Sequence, residues 1–568
     1  MLRRFRERLN AAAGRGRRCW FWAAVVVLLG AMGAAQVTSA LQETQIWDEA
    51  IHIAAGYSYL KTGDYRLNRE HPPLAKLLSG AMLLPLDPEL PLDSEAWKKA
   101  DGVEFGDLFL YKNRVDPETM LFRARAAIMA LTLALGLALA LWTRQKFGPA
   151  AGIAALFLFA FDPNLIAHGH YVTSDVAATA FIFLATLAWE RYLQTQRRRD
   201  LVVSGIVLGL ALISKFSAIF LVPVLAVLYW LRRWQLGPGR LSLRRFAAAT
   251  ATVGAISIAV IALAYGPESI RCWSGPKLRQ VVDPSTLIGK VLFQTGKRLG
   301  LPAHPYLAGI SDLAFHNKVG HEAYLMGMQS REGWWYYFPV VFAVKTSLSV
   351  IALLVLSIAI ALRPANPRKI PFHWIVLLLP PLVYFAFCMG SNINIGVRHL
   401  LPIYPFLYAA IAGAIAGAAR RWRILSAALM LVLVIESASI HPHYLAFFNA
   451  AAGGPENGPN YLVDSNLDWG QDLKNLKNYL DRNGFDKVCI SYFGRSSMEY
   501  YRFEYTDLPR TDEPKRQAEA DCIGAISVTS LHGVYVGKNA YSWLLERKPI
   551  AKIGYSIYVY DLRKQALK

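Results

Sequence analysis

Apolar stretches of about twenty residues recur along this chain, separated by short polar turns and by three long polar segments. That length crosses roughly 30 Å of hydrocarbon as a helix, so each stretch predicts a membrane span. We read eleven: 19–40, 121–142, 150–168, 176–193, 200–214, 217–231, 246–265, 338–362, 371–390, 399–418 and 424–440. The pair 200–214 and 217–231 is short and joined only by Ile213-Ser214-Lys215-Phe216. The apolar piece from Leu74 to Leu86 is too short to span and predicts an interfacial helix. Of the three long segments, 41–120 carries a dense polar motif, and 267–337 is rich in Gly, Pro and His. The second ends in Trp334-Trp335-Tyr336-Tyr337, an aromatic belt before the next span. In the third, 442–568, the period changes. Residues 466–484 are helical and close on Asn483-Gly484, while 487–494, 522–530 and 556–562 read as strands. The fold class expected is a polytopic α-helical membrane protein: a transmembrane domain over 1–441, then an α/β domain outside the membrane over 442–568.

Composition sharpens this picture. The chain has 568 residues, 54% of them hydrophobic, and a mean hydropathy of +0.28, more apolar than a soluble protein of this size shows water. Its formal charge of +21 is unevenly distributed. With the N-terminus inside, segments 1–18, 143–149, 190–200, 231–246, 363–370 and 419–423 face the cytoplasm. They hold 24 of the 61 basic residues and only three acids, Glu7, Glu190 and Asp200. Everywhere else the two signs balance. The excess positive charge lies on one side, which predicts an N-in, C-out protein of the inner (plasma) membrane with its tail domain periplasmic or extracellular. It also explains the basic character without nucleic acid. Val37-Thr38-Ser39-Ala40 faintly resembles a cleavage site, but the preceding apolar run is longer than a signal core, so the first span is expected to be retained. Five cysteines have no metal-type spacing; Cys489 and Cys522 fall in strand-like runs and could pair in an oxidising compartment, with two buried free thiols the expected state.

The polar motif "WDEAIHIAAGYSYLKTGDYRLNREHPPLAKL" (47–77) follows the first span. Asp48 alone reads as a helix cap. Its surroundings say more: His52 lies one helical turn on, and His71-Pro72-Pro73 rigidifies the same loop. That sequence, with "FDPNLIAHGHYVTSD" (161–175), "GLALISKFSA" (209–218), "WWYYFPVVFAVKTSL" (334–348) and "NIGVRHLLPIYPFL" (394–407), resembles the C-type membrane glycosyltransferases. The branch resembled is that of the protein O-mannosyltransferases and the lipid A aminoarabinose transferase. The tail with "DSNLDWGQDL" (464–473) is similar to the bacterial members that depend on a phospholipid carrier.

The resemblance implies a sugar donor on a polyprenyl phosphate, inverting transfer on the outer face, and a protein, lipid or glycan acceptor. Transfer from such a donor needs a base for the acceptor hydroxyl and cations for the departing phosphate. Asp48 is the candidate base, Glu49 the second choice, and Asp175 a binding or assisting acid that otherwise caps the helix after it. Arg398, at the outer end of a span, is placed to grip phosphate with two parallel hydrogen bonds. His71, Lys76, Lys345 and His399 are further candidates for the phosphate, and His52 and Lys215 are additional ones. Lys345 also reads as a snorkelling residue. Glu436, inside the last span, should face other helices, with an arginine as the natural partner. Asp464, Asn466, Asp468 and Asp472 echo calcium-loop spacing, but Trp469 stands where that loop needs glycine, so a turn and helix cap is expected instead. No cofactor is required by the motifs; a divalent metal is left open. A rival class, a transporter or lipid-carrier flippase, would want ionisable groups at mid-depth and repeated halves. A scaffold would leave the rigid acid loop unexplained.

Overall fold

The computed structural model describes residues 2–237, 241–266, 285–299, 305–361 and 370–563. Expectations for 267–284, 300–304 and most of the inner segment 363–370 lie outside the described residues. Among those described, eight helices are long and apolar enough to cross a membrane: Cys19–Ala40, Pro117–Phe147, Ser174–Thr195, Phe216–Leu236, Leu243–Tyr265, Phe372–Met389, Val397–Ala416 and Arg420–Ser439. The polytopic helical class is borne out. Three of the eleven expected spans differ. Residues 150–168 break at Asp162, whose side chain caps a new short helix, Pro163–His168, and Arg198–Leu212 has only 15 residues. The expected span 338–362 is two helices, Tyr337–Lys345 and Leu348–Ile360, bent by 107°.

That bend explains Glu436. Its carboxylate accepts hydrogen bonds from Ser347 and from Ser349 (3.0 Å) at the start of the second helix. An acid there offsets the positive end of the helix dipole. The partner is a helix terminus, not the arginine expected.

The segment after the first span packs as helix Glu49–Thr62 against Leu74–Ala81. The two backbones touch: a Cβ on Gly56 would lie 1.9 Å from the Lys76 carbonyl oxygen, and one on Gly80 2.5 Å from the Gly56 carbonyl carbon. Only glycine allows this approach.

The tail folds as a five-stranded sheet. Its strands are β3 (Lys487–Ser491), β4 (Glu504–Asp507), β5 (Ile523–Ser527), β6 (Ala551–Ile553) and β7 (Ile557–Asp561), in the order β4-β3-β5-β7-β6. The β3–β4 and β3–β5 pairs are parallel, the other two antiparallel. A small hairpin, β1 (Ala323–Leu325) and β2 (Met328–Ser330), stands apart. The expected tail helix begins later, at Leu473, and ends at Arg482 before Gly484 at φ +65°. Cys489 and Cys522 form a disulfide with Cα atoms 6.0 Å apart. This corrects the free-thiol reading: alternation placed both residues in strands, but only sheet order made those strands neighbours.

Candidate functional site

Asp48 occupies the N-cap of helix Glu49–Thr62, yet its side chain makes no capping hydrogen bond. It turns instead to Arg398, whose Nη1 donates to its Oδ2 at 3.2 Å. The two residues are separated by 350 positions and are 22% and 11% exposed. Arg398 reaches Asp175 as well, with Nη1 3.8 Å from Oδ2, and Lys215 Nζ donates to Asp175 Oδ1 at 2.5 Å. Asp175 is therefore held between two cations and does not cap its helix. The arginine is aimed by its own chain. Gly396 has φ +142°, and a Cβ there would lie 2.7 Å from Ser465 Oγ. Val397 N then donates to Asn466 Oδ1 at 2.9 Å. The guanidinium stacks on the indole of Trp469 at 4.4 Å, a contact that suits its planar, weakly hydrated cation.

Two histidines complete this face. His52 Nδ1 donates to the Val172 carbonyl at 2.8 Å, and its ring meets that of His71 edge-on at 5.0 Å. Burial, reinforced by His52, Lys76, Lys215 and Arg398, holds His71 well below the usual imidazole range. It is neutral at neutral pH, and its Nδ1 has no hydrogen-bond partner in the protein. Arg398 Nε and Asp175 Oδ2 are likewise buried without one. His399 is half-buried and within electrostatic reach of Lys215, Arg398 and Asp175.

Three candidates lie apart from the Asp48–Arg398 pair, bonded within the protein. Glu49 is fully buried and holds Arg125 through two parallel bonds, Nε to Oε1 at 2.9 Å and Nη2 to Oε2 at 2.7 Å. It also accepts from Ile46 N at 2.9 Å and Val172 N at 3.0 Å. With both oxygens engaged it ties the first outer loop to the second. Lys76 donates to the Asn68 carbonyl (2.6 Å), Asn68 Oδ1 (3.0 Å) and the His71 carbonyl (2.7 Å), pinning the loop that carries His71. Lys345 is fully buried and donates to the carbonyls of Leu445 (2.9 Å) and Asn466 (2.6 Å). It does not snorkel: two of its donors go to backbone carbonyls that would otherwise be unsatisfied.

Sequence reasoning missed Arg125 and the tail's share of the site. An arginine four residues into an expected span was a usable signal, since a charge there needs a partner. The tail contributes Trp469, Asp464 and Tyr535, and the outer loop adds His321. Tyr535 donates to Asp464 Oδ2 at 2.5 Å, and His321 Nε2 lies 2.8 Å from the Tyr535 hydroxyl. The calcium-loop spacing disperses: Asp464 meets Tyr535, Asn466 accepts from Val397, Asp468 accepts from Thr529 N (2.9 Å), and Asp472 from Ser556 (2.7 Å). Among the described residues no group of three or more His, Cys, Asp or Glu side chains is placed to hold a metal ion.

Residues 118–265, which include Arg125, Asp175 and Lys215, match the family model described as dolichyl-phosphate-mannose-protein mannosyltransferase. The chain is 35% identical over 98 residues to dolichyl-phosphate-mannose–protein mannosyltransferase 1 of Schizosaccharomyces pombe; that alignment covers 16% of this chain and 11% of that protein. Among solved structures it is similar to ArnT from Cupriavidus metallidurans bound to undecaprenyl phosphate. There the identity is 12%, with 97% of this chain and 98% of that chain covered, and a TM-score of 0.44. A second is the archaeal oligosaccharyltransferase AglB from Archaeoglobus fulgidus in complex with an inhibitory peptide and a dolichol-phosphate. Its identity is 14%, its coverage 90% and 69%, and its TM-score 0.43. The glycosyltransferase resemblance read from the motifs is borne out by the family-model match and the curated relative.

Proposed function

We propose that this protein transfers a sugar from a polyprenyl phosphate to an acceptor hydroxyl on the outer face of the membrane, with Asp48 as base. The observation that carries the reading is the Asp48–Arg398 pair together with three buried polar atoms that make no hydrogen bond in the protein, Arg398 Nε, Asp175 Oδ2 and His71 Nδ1. Buried polar atoms in a folded protein are almost always hydrogen-bonded, so a gathering of bare ones calls for a polar ligand. A phosphate fits the cations and a sugar hydroxyl fits the acid.

The arrangement suggests an order of events. Without donor, Arg398 holds Asp48 in an ion pair. A phosphate brings more negative charge to the guanidinium, competes for its donors and frees the Asp48 carboxylate to accept from the acceptor hydroxyl. Asp48 takes that proton as the acceptor oxygen attacks the anomeric carbon from the opposite side. The bond from that carbon to phosphate oxygen breaks, and its electron pair leaves with the carrier phosphate, stabilised by Arg398 and Lys215. Neutral His71 offers a hydrogen bond and no charge. Asp175, fixed by Lys215, orients the sugar or the acceptor. In-line attack inverts the anomeric centre. The disulfide in the tail supports an oxidising compartment on that side, in line with the charge asymmetry of the loops.

The test is Asp48→Asn in the full chain, assayed for transfer from labelled polyprenyl-phosphate sugar. Loss of a positioned base should lower turnover by about 10²–10⁴-fold, with expression and melting temperature unchanged. Full activity in the variant would remove Asp48 as the base.

A further inference from the structure

We propose that a cavity between the β1–β2 hairpin and the tail segment 533–537 binds a sugar unit of the acceptor, and that Tyr535 and Asp464 direct its hydroxyl toward Asp48. This rests on the function proposed above and adds the acceptor's chemical class and its location.

The cavity has a volume of about 280 Å³ and is lined by Glu322, Gln329, Ser330, Arg331, Gly533 and Tyr535, among others. Its wall joins two parts of the chain: Gln329 Nε2 donates to the His532 carbonyl at 2.6 Å, and Tyr535 N donates to Glu322 Oε2 at 2.9 Å. Glu322 is also paired with Arg331 at 2.7 Å, so the carboxylate and guanidinium are held in place with opposite charges balanced. Planar carboxylate, amide and guanidinium groups, with a serine hydroxyl beside them, bind neighbouring hydroxyls in pairs. A lipid tail has no use for such a lining.

Tyr535 links the pit to the Asp48–Arg398 cluster. Its hydroxyl bonds Asp464 at 2.5 Å and lies 2.8 Å from His321 Nε2, while its ring stacks on Phe493 at 5.3 Å. Asp464 and His321 both lie within electrostatic reach of Arg398 and Asp48. Tyr535 and Asp464 also have left-handed backbones, φ +66° and +59°, although neither is glycine. Such strain persists only where surrounding structure holds it, and it collects at functional sites. Tyr535 on the cavity wall, bonded to Asp464, fits a positioning device.

The experiment uses the full chain in lipid nanodiscs and saturation-transfer NMR with the methyl glycosides of mannose, glucose and galactose. At least one should bind. Arg331→Ala, an exposed residue whose loss leaves the core intact, should weaken it about tenfold, or 1.4 kcal/mol. Tyr535→Phe should keep glycoside binding yet lower kcat for transfer with the donor KM unchanged, which a merely structural role would not do. No glycoside signal, an unchanged signal in Arg331→Ala, or displacement by a Ser/Thr peptide would overturn the proposal. Undecaprenyl phosphate binding, measured in the same samples, separates the two failures: if it persists, only the acceptor site is lost; if it is absent from the wild type, the proposed function itself falls.

Discussion

Asp48 and Glu49 are adjacent carboxylates, but one is ringed by protein donors and the other is not. Glu49 accepts from Arg125, Ile46 and Val172 in full burial, so Glu49→Gln leaves a buried guanidinium without its counter-charge. That should cost about 3–5 kcal/mol, seen as a lower melting temperature, whereas Asp48→Asn should leave melting alone. Arg398→Lys makes a different test. It keeps the charge but loses the fork and the stacking on Trp469 at 4.4 Å. The donor KM should rise by roughly tenfold or more, about 1.4 kcal/mol, and an unchanged donor KM would show that Arg398 does not hold the phosphate. Position alone made Arg398 a legible candidate. Glu49, Lys76 and Lys345 were legible only as ionisable groups, because a side chain's use depends on which carbonyls and cations face it.

Helices place these side chains through contacts that leave little slack. The pair Glu49–Thr62 and Leu74–Ala81 meets backbone to backbone at Gly56 and Gly80, and this carries both Asp48 and the His71 loop. Gly56→Ala would set a methyl 1.9 Å from the Lys76 carbonyl oxygen. The helices must part, at about 1–3 kcal/mol, and thermal melting should fall, while Gly30→Ala, a helical glycine where the added methyl meets nothing within 4 Å, serves as a check on general helix effects. Periodicity showed that both helices exist, but not that they touch. The bend near Thr346 was equally hidden, since an apolar run reads as one span whether or not it turns.

At the scale of the whole molecule the tail packs against the candidate site. Lys345 bonds the carbonyls of Leu445 and Asn466, and the Ser465-Asn466 segment supports Gly396 and Val397 before Arg398. Burial pushes the carboxyls of Asp464 and Asp468 up, to about 6 and about 8. Between its unfolded and folded values, an acid with a raised folded-state pKa is protonated in the fold and ionised on unfolding. Its contribution to stability is present below the ordinary carboxylate range near 3.8 and is lost as pH rises through the folded value. Asp468→Asn should therefore flatten the fall in melting temperature between about pH 4 and about pH 8; an unaltered slope would count against a protonated Asp468. The Cys489–Cys522 link closes 33 residues of sequence, so Cys489→Ser should destabilise the tail by about 2–4 kcal/mol, measured as protease sensitivity of the tail.

The sequence by itself determined the membrane class, most of the spans, the helix and three strands of the tail, and the polar motif beside the first span, because these depend on local periodicity and composition. It also supplied Asp48, Asp175, Lys215, His71 and Arg398 as candidates. Only the tertiary structure decided which charges meet. Asp48 and Arg398 lie 350 residues apart and pair at 3.2 Å, while Glu49 and Lys345 turn inward to partners no spacing announces. Coulomb and hydrogen-bond energies depend on separation in space and on exclusion of water, and neither is written in distance along a chain.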